Sequence, residues 1–352
     1  MQWDSETYSR ARRVGQTYRP TVSVCTGLML GDASSLGSTA AFNRPRTHDG
    51  SSLTMLAHVT FHNSNSTSAI DLVNYNSVLT TLQEMETGYT TFERIDVTVD
   101  SNPTNAFVRP LRRWAAERQL RRVRLRVILH SRLPHPFLLA WAHREHMERA
   151  VLSGRYDWFF YTEADVFVPS VAMRVQVELA LKLYAQTQLL LGFARVSNDT
   201  QNRQFYSDIR KSAAPAARFE VAGLGTFVHP TYTYGAAWAY PRAIMRDWLE
   251  NRTGWNFTAG KAVRERAGWG WTKTINPMHS RSIVLCDACH SGPERYTAAS
   301  LVVVHVGKSG PFFVRVRRHN TLPVAALVLP DAPAGVGRRL LGGGRPPSAC
   351  GH

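Results

Sequence analysis

The sequence predicts an α/β fold in which a mixed, mostly parallel central sheet is flanked by helices. Three observations predict it. Strand and helix patterns alternate from residue 56 onward, opening as strand, helix, strand, which is the start of a parallel βαβ unit. The run Tyr156-Asp-Trp-Phe-Phe-Tyr161 is almost entirely apolar, as suits a central strand buried on both faces. The chain has 352 residues, 44% hydrophobic and 19% charged, enough to bury a large core without disulfide staples.

The elements follow in order. Residues 56–61 (LAHVTF) read as a strand ending in the polar cluster 62–68. From 69 to 85, Ile70, Val73, Val78, Leu79, Leu82 and Met85 recur at roughly helical spacing. Residues 92–99 alternate, with Ile95, Val97 and Val99 on one face, and stop at Asp100-Ser-Asn-Pro103. A basic amphipathic helix is expected over 109–119 and a third strand over 123–130, broken by Pro134 and Pro136. A single helix is expected over 137–153, then the strand 156–161, a helix over 171–186 and a strand over 188–195. Residues 199–225 read as polar loop. Pro241 opens a helix at its favoured first-turn position, and 301–306 read as a further strand. No internal repeat is found. These patterns divide the chain into an irregular leader over 1–50, one domain over 51–328 and a Pro/Gly/Arg-rich disordered tail over 329–352.

The net charge is +16, carried by 37 Arg and only five Lys. Such a field suits a polyanionic partner. The Arg excess without Lys runs is better explained by codon bias than by specific nucleic-acid binding, which mixes both with interleaved aromatics. Of the four cysteines, Cys286 and Cys289 have CxxC spacing with His290 next. This allows half a zinc site, a haem-attachment pattern, a local disulfide or buried thiols. Sequons stand at Asn65, Asn198, Asn251 and Asn256, which permit passage through the secretory pathway. No apolar run is long enough to span a bilayer and residues 1–19 are no signal peptide. Membrane association is therefore expected only through a segment missing from this chain.

The chemistry-bearing feature is the apolar strand running directly into Glu163-Ala-Asp165. In open parallel sheets, ligands bind beyond the carboxyl ends of the strands. Two carboxylates spaced i, i+2 there can share a hard cation, Mn²⁺ or Mg²⁺, with substrate phosphates. The bland alternative is a solvated turn after a strand.

Tyr156-Asp-Trp-Phe-Phe-Tyr-Thr-Glu-Ala-Asp165 resembles the YDxFxYxEDD segment of GT-A-fold glycosyltransferases, a Rossmann-like group that transfers sugars from nucleotide-sugar donors. Ala164 stands where the pattern usually shows a second acid. The resemblance covers roughly residues 55–325. It implies that Glu163 and Asp165, in the DxD role, hold the metal and the donor diphosphate. It further implies donor contacts from Arg144, about twenty positions earlier, and from Asp100 and His62 at strand ends. A surface arginine and a turn cap are the alternatives for Arg144 and Asp100. Glu265 is implied as the base on the acceptor hydroxyl, against a helix-surface carboxylate. Trp269 and Trp271 either stack on an acceptor sugar or belong to the core. His305, in a run of valines, is either a third metal ligand or a buried histidine, and Lys308 reaches the diphosphate.

The implied partners are a nucleotide-sugar and a glycan or glycoprotein acceptor, and the implied location is the Golgi or ER lumen. Two other classes stay open. One is a non-catalytic carbohydrate-binding relative; the other is a basic nucleic-acid-binding protein, whose mark would be strong salt dependence. A glycoside hydrolase would need a second acid farther off than Glu163 and Asp165 are from each other.

Overall fold

The structure is a computed structural model. It describes residues 52–63, 69–131, 133, 135–198, 204–210, 218–228, 236–251, 255, 267, 282–285, 302–305 and 321–323. The proposed leader 1–50 and tail 329–352 lie outside the described residues.

Five strands form the central sheet: β1 (Leu53–Phe61), β2 (Phe92–Ser101), β3 (Val123–Leu129), β4 (Trp158–Glu163) and the later β11 (Ala237–Pro241). Their order is β11-β4-β1-β2-β3. β1 to β4 are parallel to their neighbours, and β11 closes the β4 side antiparallel. Helix α1 (Ala69–Thr87) links β1 to β2 and α2 (Val108–Arg118) links β2 to β3. The chain then reverses direction across the sheet. A 3₁₀ turn (Pro136–Trp141) and α3 (His143–Ser153) carry it back to β4, on the far side of β1. Right-handed crossovers place helices on opposite faces when the strand order reverses, and the core divides that way.

On one face Met55, Ala57, Val59, Val97, Val99 and Phe160 pack with Val78, Leu82 and Met85 of α1, Leu111 of α2, and Met173, Leu179 and Leu183 of α4 (Ser170–Thr187). On the other face Leu56, Phe159, Tyr161, Trp238 and Tyr240 pack with Met147 and Val151 of α3 and with Ile244, Met245 and Trp248 of α5 (Arg242–Asn251). Strand β4 contributes to both clusters, which is why its sequence is apolar at every position from Trp158 to Tyr161. The mixed, mostly parallel sheet between helices is the fold class expected.

Two elements differ from expectation. The single helix expected over 137–153 is split into the 3₁₀ turn and α3. Pro136 sits in the first positions of that turn, whose start is capped by His135 accepting from the Phe137 amide. The expected loop 199–225 contains strands β8 (Gln204–Arg210) and β9 (Arg218–Val221). β8 reads QFYSDIR, polar enough to resemble a loop, yet it finds ladder partners on both sides. It lies in a five-stranded sheet with β5 (Val166–Phe167), β7 (Ala194–Asn198), β13 (Val302–His305) and β14 (Thr321–Pro323), in the order β14-β8-β7-β13-β5. A third sheet joins β6 (Leu190–Leu191), β12 (Ser282–Leu285), β10 (Gly225–Val228) and β9.

Carboxylates fasten the helices to the sheet. Glu86, in the last turn of α1, accepts from the backbone amides of Arg121, Arg122 and Val123 at 3.0, 2.9 and 2.8 Å, ordering the turn into β3. Glu84 accepts from the Ser170 amide at 2.6 Å, satisfying a donor at the start of α4. Asp157 takes both the amide and the hydroxyl of Thr54 at 2.9 Å, pinning the entry of β4 against that of β1. Among the described residues no helix is long and apolar enough to cross a membrane.

Candidate active site at the carboxyl end of the sheet

The strand order reverses at β1, which pairs with β2 on one side and β4 on the other. Beyond the carboxyl ends of two such strands the connections diverge and leave a crevice, the usual ligand position in open α/β sheets. Thr60, near the end of β1, is in register with Asp100 on β2 and with Glu163 on β4. Asp100 and Glu163 therefore flank the switch point in one row across the sheet. The Ala164 amide donates to the Thr60 carbonyl at 2.9 Å and the Glu163 amide to the Ala236 carbonyl at 3.1 Å. The acidic turn is thus tied to both neighbouring strands rather than standing loose in solvent. Glu163 and Asp165 are 4% and 8% exposed, which excludes the solvated-turn alternative.

Between them, Ala164 belongs to the apolar cluster that holds Val166 and Val168. Its side chain faces the core, so a third acid at this position would lie among apolar groups. Strand β5 follows at once and pairs antiparallel with β13, with His305 in register opposite Val166. The backbone of His305 thereby lies beside the residue next to Asp165.

Asp100 lies inside a polar chain that crosses the sheet face beneath α3. Its Oδ2 accepts from His58 Nδ1 at 2.6 Å and its Oδ1 from His130 Nε2 at 2.9 Å. His58 Nε2 meets His146 Nδ1 at 2.8 Å. The Arg126 guanidinium lies 3.0 Å from His146 Nε2 and 3.2 Å from its Nδ1. Burial alone pushes the Asp100 carboxyl up, but the two imidazoles bonded to it outweigh this and hold it below the usual carboxylate range. Burial, with His58 and Arg126 adding positive charge, pushes His146 down to about 3. Arg126 can only donate, so a ring nitrogen of His146 accepts from it, and ionised Asp100 can only accept from His58 and His130.

Arg144 occupies a different niche. It is 6% exposed, on the first turn of α3, with its guanidinium carbon 4.5 Å from the ring centre of Trp248, 4.6 Å from Trp255, 5.3 Å from Trp141 and 5.9 Å from Trp238. One terminal nitrogen donates to the Ala267 carbonyl at 3.0 Å. Nε and the other terminal nitrogen have no hydrogen-bond partner among the described residues. Burial pulls this guanidinium down to about 9. The indole faces replace solvent for a cation that has left water, so the surface-arginine alternative does not hold. Trp238, which shares the niche, is paired in register with Tyr161, two residues before Glu163.

Of the residues singled out in the sequence, the structure gathers Asp100, Glu163 and Asp165 around the switch point and brings the backbone of His305 to the same end. His62 follows β1 directly and is exposed. Arg144 sits beneath α3, in its indole cage. Glu265, Trp269, Trp271 and Lys308 lie outside the described residues. Among the described residues, no three or more His, Cys, Asp or Glu side chains are gathered as a metal site.

Sequence reasoning missed His58, His130, His146 and Arg126. One signal was available: His58 and Asp100 fall on the positions of β1 and β2 that alternate with the core residues Ala57, Val59, Val97 and Val99, and so share one face of the sheet.

No model of a known protein family matches the chain, and no curated protein sequence matches it. Among solved structures it is similar to 4-diphosphocytidyl-2C-methyl-D-erythritol synthase from Anaerococcus prevotii, at 8% identity and a TM-score of 0.30, over 61% of this chain and 81% of that one.

Proposed function

We propose that the chain is a glycosyltransferase that moves a sugar from a nucleotide-sugar donor to an acceptor hydroxyl of a glycan or glycoprotein in the secretory lumen. The observation that carries this reading is the buried pair Glu163 and Asp165 at the carboxyl end of a central parallel strand, at the point where strand order reverses. Two carboxylates held there by backbone hydrogen bonds fit a divalent ion, Mn²⁺ or Mg²⁺, with His305 as a third ligand. When bound, that ion supplies positive charge against the diphosphate as it departs.

The chain's own residues do the rest. His62 and Lys308 place the nucleotide, and Asp100 lies at the same end of the sheet, while Arg144 stays in its indole cage and supports the fold beside the site. Trp269 and Trp271 hold the acceptor ring. Glu265 takes the acceptor proton as the acceptor oxygen bonds to the anomeric carbon and the bond from that carbon to the diphosphate oxygen breaks.

The test is isothermal titration of UDP and GDP, with and without Mn²⁺, on wild type and Asp165→Ala. Metal-dependent binding that disappears in the variant is the expected result. Failure of every nucleoside diphosphate to bind, with metal present, refutes the reading and leaves a carbohydrate-binding protein.

A further inference from the structure

Residues 109–126 hold eight arginines and a single acid, Glu117, about four times the chain's average arginine density. Codon usage sets how often arginine stands in for lysine; it neither gathers arginines in one stretch nor keeps acids out of it. Two of the eight have partners inside the fold: Arg122 donates to the Glu86 carbonyl and Arg126 lies against His146. The other six, Arg109, Arg112, Arg113, Arg118, Arg121 and Arg124, are exposed, and among the described residues none of them forms an ion pair.

The fold brings these charges to one edge. β3 is the last strand of the central sheet and pairs with β2 alone among the described strands. α2 packs beside it through Val108, Leu111 and Ala115, which leaves Arg109, Arg112 and Arg113 together on its solvent side. Arg118 ends the helix, Arg121 stands in the turn and Arg124 on β3. The 11 residues of α2 alone carry this band over about 16 Å. Charge on an edge strand guards against pairing with another chain, which accounts for Arg124. It does not account for the helix, where mutual repulsion of unpaired cations opposes the compact state.

A partner with negative groups repeated along a comparable length offsets that repulsion; a single small anion meets one or two of the six. Guanidinium forks match carboxylate and sulfate oxygens two at a time. The band has no exposed large apolar side chain with which to enter a bilayer. Its one aromatic, Trp114, packs on the core and under Arg118, so it is not free to stack on a base. The sequons at Asn198 and Asn251 permit the secretory route, where repeating polyanions are acidic glycans. We propose that the α2–β3 edge docks a linear acidic polysaccharide, one that repeats carboxylate or sulfate groups along its length. Docking there needs neither Glu163 nor Asp165, so it stands apart from the donor reading.

The experiment titrates the full chain with heparin and with polygalacturonate at about 0.15 M salt, beside duplex DNA and phosphatidylserine vesicles. At least one of the two polysaccharides is expected to bind about tenfold or more tightly than DNA or vesicles. Arg109→Glu, Arg112→Glu and Arg113→Glu together should weaken it about thirtyfold and flatten its salt dependence. Arg174→Glu, Lys182→Glu and Arg246→Glu together change the net charge equally at exposed positions of α4 and α5, and should alter binding less than about threefold. The glutamine triple at 109, 112 and 113 introduces no new charge and should weaken binding in the same direction, with melting temperatures showing that each variant is folded. Equal losses in the α2 triple and the α4–α5 triple would assign binding to net charge and overturn the proposal. Tighter binding of DNA or vesicles, or no binding of either polysaccharide, overturns it too.

Discussion

Acid should weaken this fold through two specific histidines. His146 is held near pKa 3 against an ordinary value of 6.5, and burial beside Arg144 and His58 pushes His143 well down too. Between the folded and unfolded values the unfolded chain binds the extra proton, so stability rises with pH and is lost as pH falls below about 6.5. For His146 the gap of about 3.5 units corresponds to a ceiling of about 5 kcal/mol, reached near pH 3, at up to about 1.4 kcal/mol per pH unit. His143 adds a second proton of the same sign. The assay is urea unfolding, followed by tryptophan emission, at pH 4.5, 5.5 and 7.5, on wild type and His146→Leu. The variant is expected to be less stable at pH 7.5, because His58 and Arg126 each lose a partner. Its dependence on pH below 6 should nevertheless be shallower by about 1 kcal/mol per unit. Equal slopes in the two proteins would refute the assignment of a neutral, half-buried His146.

Three further outcomes follow from named contacts. Arg144→Ala removes a cation from four indole faces and leaves a void. It should cost about 2–4 kcal/mol in urea unfolding and shift tryptophan emission. Glu86→Ala strips the acceptor from three backbone amides before β3 and should cost about 2–3 kcal/mol, read as a lower urea midpoint. Ala164→Asp completes the acidic run but places a carboxylate in the apolar cluster. It should lower the melting temperature, costing about 2 kcal/mol or more, rather than strengthen Mn²⁺-dependent nucleotide binding.

How much was legible in the sequence depends on the range of the signal. The parallel core was legible because each of β1 to β4 carries its own apolar pattern. The apolar run of β4 states its burial on two faces, since Trp158 and Phe160 enter one cluster and Phe159 and Tyr161 the other. Glu163 and Asp165 were legible because they end that run. The environments of Asp100 and Arg144 were not. Asp100 meets His58 from 42 residues away and His130 from 30, and His58 meets His146 across 88. No local spacing encodes those meetings. Arg144, read from its spacing as a donor contact or a surface arginine, gave no sign of its cage, because three of its four tryptophans stand some hundred residues later, on β11, on α5 and just beyond it. Strands β8 and β9 were hidden for a different reason. Their ladders lie in secondary sheets, so their residues need not alternate as those facing a large core do.

The end of α1 has a consequence for how the chain folds. Its final turn carries Glu84 and Glu86 and no basic residue, so its charges oppose the partial negative charge of a helix carboxyl end. Those carboxylates find their donors only at Arg121–Val123 and at Ser170, 35 to 37 and 86 residues downstream. Until β3 and α4 have docked, that turn has reason to fray. Its ordering therefore reports assembly of the β1–β4 region as a whole. A fragment ending before residue 120 would keep the first turns of α1 and lose the last, and hydrogen exchange along this single helix would register the order in which the sheet is built.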